Sequence, residues 1–317
     1  MQAARVMAEP APPLAWGTEA LWQQLAPLLP GLSVEVLHST ASTNSALLER
    51  ARVLPESRRE GGDVVVRRSV ESGAFGRRAA DLQPCLLVAE HQSAGRGRQG
   101  RTWKSVPGAS LTFSLGLPLV MADWSGLSLA VGVALCEVLD PAFRTSPPGP
   151  PAAGPHLGLK WPNDLWHVDA SGAGRKLGGI LIETVAAGAQ RLAVIGIGLN
   201  VLPFAAGEAV TGFASLNELD PSIHAPGALA RLALPLVQAL KRFEREGFAA
   251  FADAYAARDL LCGRAVRTTH ADVPEGIARG VSANGALRVE TPAGVLEVAS
   301  GEVSVRLDDA PLAGLAA

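Results

Sequence analysis

The chain has 317 residues, 48% of them hydrophobic, which is enough apolar material for one large domain or two smaller ones. Its formal net charge of −2 argues against a general nucleic-acid-binding protein, since such proteins usually carry a basic excess. The three cysteines are far apart, which argues against a disulfide framework or a zinc site. No signal-peptide pattern and no apolar run of about 20 residues is present, so we expect a cytoplasmic protein without a membrane span.

In chain order, the pattern predicts an α/β body. Residues 1–30 read as an N-terminal extension with one short helix at 18–29, and a hydroxyl-capped helix is predicted to follow Ser42-Thr43-Asn44. Apolar residues at helical spacing predict two further helices, at 127–139 and 226–258. The predicted strands of the body are 34–37, 85–90, 110–117, 158–161, 177–185 and 192–199.

The last part of the chain changes character near residue 261. Short alternating segments broken by Gly, Asn and Pro predict a small β-barrel there. We therefore expect an extension at 1–30, a body at 31–260 and a barrel with its tail at 261–317. Two insertions have no assignable role: 55–82, with three Arg pairs and one candidate strand at 64–66, and the Pro-rich surface loop within 144–157.

A literal G-x-G-x-x-G occurs at Gly95, Gly97 and Gly100. A dinucleotide-binding turn needs a helix directly after it, whereas residues 102–117 favour a strand, so this reading fails. The loop instead carries four cations and no carboxylate: Arg96, Arg98, Arg101 and Lys104. Like charges repel, so we expect a poorly ordered loop that an anion would order. A solvated basic surface loop explains the charge density equally well.

Two further motifs place lysines at strand ends. In "GLKWPNDL", Lys160 precedes the turn formers Asn163 and Asp164, for which a purely structural turn is the simpler explanation. In "RKLGGILIE", Lys176 precedes Gly178 and Gly179, and glycines inside a strand indicate close approach by a ligand or another backbone. A lysine there can bind a carboxylate or a phosphate, or simply face solvent. The segment "GIGLN" ends another apolar strand.

The order of these motifs is more specific than any one of them. Ser-Thr-Asn, Gln92 with "GRGRQGR", "KWPND", "KLGGILIE", "GIGLN" and a small β tail together resemble the biotin–protein ligases, over about residues 33–307. The resemblance implies a mixed sheet related to class II aminoacyl-tRNA synthetases, followed by an SH3-like barrel. It implies that biotin and Mg²⁺-bound ATP form biotinyl-5′-AMP, and that a lysine of a biotin carboxyl carrier protein domain then takes the biotin.

The resemblance also implies roles for individual residues. Lys176, Arg98 and Asp164 are expected to be catalytic, with Asp164 orienting the attacking lysine or a metal. The expected biotin-binding residues are Ser42, Thr43, Asn44, Gln92, Arg96, Gly97, Arg98 and Lys176. The expected nucleotide-binding residues are Arg98, Arg101, Trp103, Lys160, Asn163, Asn200 and Arg306. No metal ligands are assigned, although Mg²⁺ is expected to accompany ATP.

Some points stay open at this stage. Ser39-Thr40 competes with Ser42-Thr43, which we prefer because Asn44 and a helix follow. Residues 1–30 are too few for a helix-turn-helix domain, so we expect a ligase that does not bind DNA. A homodimer is left open. The alternatives are a lipoate–protein ligase, which would lack "GRGRQGR" and "KWPND", a non-enzymatic nucleic-acid-binding protein, and the weakened nucleotide-dependent oxidoreductase.

Overall fold

The computed structural model describes residues 14–52, 82–121, 123–143, 154–187, 190–204, 212–299 and 305–307. The candidate strand at 64–66 and most of the Pro-rich loop at 144–157 lie outside these residues, as do positions 1–13 of the N-terminal extension.

The body is built on one seven-stranded mixed sheet. Its strand order is β1-β2-β3-β7-β6-β5-β4, in which β1 and β2 run parallel and every other neighbouring pair is antiparallel. The strands are β1 Ser33–Thr40, β2 Cys85–Gln92, β3 Ser110–Pro118, β4 His156–Lys160, β5 Asp164–Val168, β6 Gly174–Ala187 and β7 Gln190–Asn200. All six predicted strands are present.

Strand β5 was not predicted. Its sequence Asp-Leu-Trp-His-Val does not alternate clearly between apolar and polar residues, and Asp164 was interpreted as part of a turn. The turn itself lies at 161–163, and Lys160 pairs with Asp164 across it in a β4–β5 hairpin. The hairpin therefore places both ends of the "KWPND" motif side by side.

Helices cover both faces of the sheet. Helix α2 packs on one face, where it contacts β2, β3, β6 and β7, while α3 and α4 pack together on the other. Nine of the 13 residues of α3 are buried, because it lies between the sheet and α4. The helices are α1 Thr18–Leu25, α2 Thr43–Arg52, α3 Leu127–Leu139, α4 Ala225–Glu246 and α5 Ala252–Ala256. Among the described residues, no helix combines the length and the apolar character needed to cross a bilayer.

The prediction of one helix over 226–258 was wrong. Helix α4 ends at Glu246 because Gly247 adopts a positive φ of 65°, and a 3₁₀ turn at Phe248–Phe251 leads into the short α5. Arg258, predicted as the last helical residue, instead follows α5 and is buried. Its guanidinium pairs with the Asp140 carboxylate at 3.0 Å and donates to the Leu157 carbonyl at 2.8 Å, which ties this segment to the end of α3.

A five-stranded antiparallel sheet follows the body, in the order β11-β10-β9-β8-β12. Its strands are β8 Ala265–Thr268, β9 Glu275–Val281, β10 Leu287–Thr291, β11 Gly294–Val298 and β12 Val305–Leu307. This domain docks on the β4–β5 hairpin: the Trp161 indole donates to the Gly285 carbonyl at 3.1 Å and Lys160 to the Val305 carbonyl at 3.0 Å. The predicted fold class, a mixed α/β body with a small β domain, is confirmed.

The connection between body and β domain contains a buried carboxyl group, that of Asp259. The Leu159 carbonyl accepts from the Leu260 amide, and the Leu159 amide donates to the Arg258 carbonyl. The connection therefore runs along β4. Within it, Asp259 Oδ1 accepts from the Leu261 amide at 2.9 Å, while Oδ2 is buried without a hydrogen-bond partner among the described residues. Burial raises the pKa of Asp259 to about 6, since a charged carboxylate is poorly solvated there.

We therefore expect Asp259→Asn to stabilise the protein at neutral pH. The folded carboxyl binds its proton more tightly than the unfolded one does, so the free energy of unfolding falls as pH rises from about 4 to about 6. A shift of about two pKa units lowers the free energy of unfolding by up to about 3 kcal/mol at pH values above that range. The uncharged amide of Asp259→Asn avoids this loss. Urea unfolding at about pH 4 and about pH 8 measures this difference.

The exposed carboxyl of α5 provides the control, as Asp253→Asn. Equal effects of Asp259→Asn at the two pH values would show that the buried charge is not the cause.

Candidate active site

One cavity of about 340 Å³ lies between the start of α2, the arginine loop at 93–105, the ends of β6 and β7, and the β4–β5 hairpin. All the predicted site residues except Arg306 line it: Ser42, Thr43, Asn44, Gln92, Arg96, Gly97, Arg98, Arg101, Trp103, Lys160, Asn163, Asp164, Lys176 and Asn200. Arg306 lies exposed on β12, outside the lining residues. Ser39 and Thr40 belong to β1 and do not line the cavity, whereas Ser42 and Thr43 do.

One end of the cavity is a buried hydrogen-bond network. Gln92 Oε1 accepts from the Thr43 backbone amide at 2.8 Å and from its hydroxyl at 3.2 Å. Ser114 Oγ lies 2.6 Å from both Thr43 Oγ1 and Asn44 Oδ1, and the Asn44 amide donates to the Leu181 carbonyl at 3.1 Å. Since these side chains fix one another, they present fixed donors and acceptors to a ligand. Ser114 was missed because nothing separates one serine in an apolar strand from its neighbours.

Two glycines of β7 make room for these side chains. A Cβ on Gly196 would lie 2.2 Å from Asn44 Oδ1, and one on Gly198 would lie 2.5 Å from the Trp103 ring. Their alternation in "GIG" was a signal of close approach that the sequence prediction did not use. At Gly178, where close approach was predicted, the neighbours belong to β7: a Cβ there would lie 2.5 Å from Leu199 Cδ2 and 2.6 Å from the Gly198 carbonyl oxygen.

The other end of the cavity is rich in cations. Lys176 Nζ and Asp164 Oδ1 are 2.7 Å apart, because β5 and β6 pair with Asp164 opposite Gly179. Asp164 is the one carboxylate among the described residues that line the cavity, whereas six cations do so: Arg96, Arg98, Arg101, Lys104, Lys160 and Lys176. Such an excess of positive charge suits a ligand that carries several negative charges.

Comparison with known proteins decides the family. Residues 80–200 match the Biotin/lipoate A/B protein ligase family, and residues 261–306 match the Biotin protein ligase C terminal domain. The chain is 33% identical to the biotin--[acetyl-CoA-carboxylase] ligase of Mycobacterium tuberculosis, over 90% of this chain and 91% of that protein. The chain belongs to the biotin–protein ligase family.

Two other family members are similar over much of the chain. The bifunctional ligase/repressor BirA of Escherichia coli is 32% identical, over 90% of this chain and 77% of that protein. The biotin protein ligase from Aquifex aeolicus, solved in complex with biotin and ATP, superposes with a TM-score of 0.62 at 24% identity, covering 87% of this chain and 99% of that one. At that identity the superposition supports the fold.

The arginine loop, predicted to be poorly ordered without an anion, is held together by backbone hydrogen bonds of its own. The Gly97 amide donates to the Arg101 carbonyl at 2.7 Å and the Trp103 amide to the Gly95 carbonyl at 2.8 Å, so the loop closes on itself. Gln99, between the two arginines of its turn, has a φ of 55°. Internal backbone bonds therefore offset the repulsion between the like charges of the loop.

An ion pair joins this loop to the sheet. Arg96 pairs with Glu183 of β6 at 2.7 Å and donates to Ser45 Oγ at 3.1 Å. The second carboxylate oxygen of Glu183 accepts from the Asn44 amide at 3.0 Å, so Glu183 joins the loop to the buried network. Glu183 is the last residue of the "KLGGILIE" motif, but no sequence pattern assigned it a role.

Burial lowers the pKa of two of these cations, Lys160 and Arg98. The pKa of Lys160 lies below its usual value, first because the side chain is buried and then because Lys176, Arg101 and Arg306 repel its charge, against the attraction of Asp164. Burial likewise lowers the pKa of Arg98, again opposed by Asp164. An anion in the cavity would favour the charged form of Lys160.

Two aromatic rings complete the cavity. Phe204 and Phe213 line it, and 42% of Phe213 is exposed. A large exposed aromatic side chain at a cavity rim indicates a contact with a ligand. The sequence did not predict this rim, because two isolated phenylalanines in a Gly- and Ala-rich segment form no periodic pattern.

We expect anion binding to weaken at alkaline pH through Lys160. As pH rises through the lowered pKa, the Lys160 ammonium loses its proton and its attraction for the anion. The affinity of the wild type for pyrophosphate should therefore fall by about tenfold more than that of Lys160→Met, which already binds more weakly at about pH 7. Calorimetry with pyrophosphate at about pH 7 and about pH 10 measures this. Lys241→Met, on α4 away from the cavity, is the control, and an identical pH dependence in all three proteins would contradict the assignment.

We also expect Glu183→Gln to loosen the arginine loop. The amide keeps an acceptor for Asn44 but loses the charge that holds Arg96, and a partly exposed ion pair contributes about 0.2 to 1 kcal/mol. Trypsin should then cut at the loop arginines about two- to fivefold faster. Glu246→Gln, which removes the surface pair with Arg242, is the control. Unchanged cleavage in Glu183→Gln would show that the ion pair does not hold the loop.

Proposed function

We propose that this protein activates biotin with ATP to biotinyl-5′-AMP and then transfers biotin to a lysine of a biotin carboxyl carrier protein domain. The observation that carries this proposal is the single cavity that joins a fixed hydrogen-bonding end to a cation-rich end, in a chain of the biotin–protein ligase family. Two negatively charged molecules can meet there only if positive charge surrounds them.

Biotin is proposed to occupy the hydrogen-bonding end. A ureido ring needs both acceptors and donors, which Ser42, Thr43, Asn44 and Gln92 supply from buried positions that hydrogen bonds hold in place. Gly196 and Gly198 leave room for the Asn44 and Trp103 side chains, and the fused rings and the tail of biotin would lie beside them. The backbone of Arg96, Gly97 and Arg98 would cover the tail, because the loop closes this side of the cavity.

Lys176 is proposed to stabilise the first chemical step. The biotin carboxylate oxygen attacks the α-phosphorus, the bond to the bridging oxygen breaks, and pyrophosphate leaves. Charge grows on the α-phosphoryl oxygens during this step, and the ammonium of Lys176, held at 2.7 Å by Asp164, offers a fixed donor for it. Arg98, half-buried beside Asp164, adds a second positive charge.

The nucleotide is proposed to occupy the cation-rich end and the aromatic rim. Lys160 and Arg101 would bind phosphate oxygens, and Trp103, whose indole N–H is buried without a partner among the described residues, would face the ligand. The amides of Asn163 and Asn200 donate to the Ile180 and Ala214 carbonyls, which leaves their oxygens as acceptors. Arg306, from β12, would reach the nucleotide only from outside the cavity wall.

Mg²⁺ is proposed to arrive bound to the triphosphate. The described residues hold no cluster of three or more His, Cys, Asp or Glu side chains that could bind a metal on their own. One carboxylate, Asp164, together with phosphate oxygens fits the way Mg²⁺ usually binds. When bound, the ion would neutralise phosphate charge.

In the second step the amine nitrogen of the carrier lysine attacks the carbonyl carbon of the anhydride, AMP leaves, and the amine loses a proton. Asp164 is proposed to orient that lysine, since its second carboxylate oxygen is not engaged by Lys176. The closed loop keeps water from the anhydride. We propose that the enzyme meets its carrier in the cytoplasm. Its free cysteines fit that compartment.

We expect Lys176→Gln to lower biotin-dependent ATP–pyrophosphate exchange by about 10² to 10³, the usual cost of removing one donor from a transition state. Biotin affinity should change far less, because the hydrogen-bonding end is intact. Lys241→Gln, far from the cavity, should exchange normally. Near-normal exchange in Lys176→Gln would remove this lysine from the mechanism.

The function itself is tested by transfer onto a carrier domain. The wild type should label the domain when both biotin and ATP are present, and should release AMP. Labelling with lipoate in place of biotin would favour a lipoate–protein ligase, and no labelling with either acid would reject the proposal.

A further inference from the structure

The segment Phe213–Glu218 is attached to the start of β6, next to Lys176. Phe213 forms a parallel bridge with Lys176, and the Ala214 amide donates to the Lys176 carbonyl at 2.9 Å. Asn200, at the end of β7, donates its amide to the Ala214 carbonyl at 3.1 Å. The backbone that carries Phe213 is therefore built onto the strand that carries Lys176.

Arg175 is the side chain that clamps this segment. Its guanidinium donates to the Phe213 carbonyl at 2.9 Å and pairs with both oxygens of the Glu218 carboxylate. Its stem also lies against Gly212, since a Cβ there would be 3.6 Å from Arg175 Cδ. A planar guanidinium can hold a carbonyl and a carboxylate at once, which a lysine cannot do with the same geometry.

Glu218 is itself held in place. Its Oε1 accepts from the Ser215 backbone amide at 2.9 Å, which closes a capping box on the 3₁₀ turn at Leu216–Glu218. Behind it, 3.7 Å away, lies the buried ring of His167 on β5. The clamp thus joins β5, β6 and the segment that leads to Phe213.

We propose that Arg175 is a positioning residue for the nucleotide: without touching the ligand, it holds the Phe213 ring at the cavity rim at a fixed distance from Lys176. This inference rests on the proposed function. The ring is 42% exposed, and Arg175 and β6 hold its backbone, so loss of the clamp would let the ring move. A planar ring at that rim can stack on the base of a nucleotide, and the clamp fixes where stacking occurs.

The test compares Arg175→Gln with Arg231→Gln in biotin-dependent ATP–pyrophosphate exchange on the full chain. Arg231 forms a similar exposed ion pair with Asp220, just beyond the same segment, and does not line the cavity. We expect Arg175→Gln to raise KM for ATP by about five- to twentyfold, while kcat and KM for biotin change less than about twofold. Arg231→Gln should change none of the three.

A double-mutant cycle with Glu218→Gln distinguishes the clamp from general loosening. If the two side chains act together, Arg175→Gln combined with Glu218→Gln should raise KM for ATP hardly more than Arg175→Gln alone. Equal rises in KM for ATP and for biotin, or a KM for ATP unchanged from that of Arg231→Gln, would overturn the inference.

The two proposals fail in different ways. An active wild type whose Arg175→Gln variant keeps a normal KM for ATP rejects the role of Arg175 alone. A wild type without biotin-dependent exchange rejects the proposed function, and this inference with it.

Discussion

The cavity depends on one ion pair, in which the Lys176 ammonium is held 2.7 Å from the Asp164 carboxylate. Each partner comes from a different strand, and the antiparallel pairing of β5 with β6 brings them together. Asp164 also attracts the charges of Lys160 and Arg98, so one carboxylate organises the cations at this end of the cavity.

The rest of the site is arranged so that two unlike ligands can reach that pair. On one side, Thr43, Asn44, Gln92 and Ser114 hold one another through hydrogen bonds, and Gly196 and Gly198 of β7 leave room for the Asn44 and Trp103 side chains. On the other side, Lys160 and Asp164 lie on a hairpin that the β domain contacts through Trp161 and Lys160. The β domain therefore contributes to the site by positioning the hairpin.

Much of the fold was readable from the sequence, because its strands are apolar and its helices periodic. The strand β5 and the end of α4 were not, because Asp164 resembles a turn residue and the φ of Gly247 is set by the chain around it. Most residues that line the cavity were predicted from the order of the motifs along the chain, which resembles that of the biotin–protein ligases. Three residues of the site were not predicted, since their positions depend on parts of the chain distant in the sequence. Ser114 binds Thr43, Glu183 pairs with Arg96, and Phe213 lies at the cavity rim.

The central claim is that biotin and ATP meet at the Lys176–Asp164 pair, and a crystal structure with biotin and a non-hydrolysable ATP analogue tests it most directly. The account predicts that the ureido ring contacts Thr43 and Gln92 and that phosphates lie beside Lys160. It also predicts that Lys176 Nζ lies within hydrogen-bonding distance of both the biotin carboxylate and the α-phosphate. Ligands bound elsewhere, with Lys176 contacting neither of them, would contradict it.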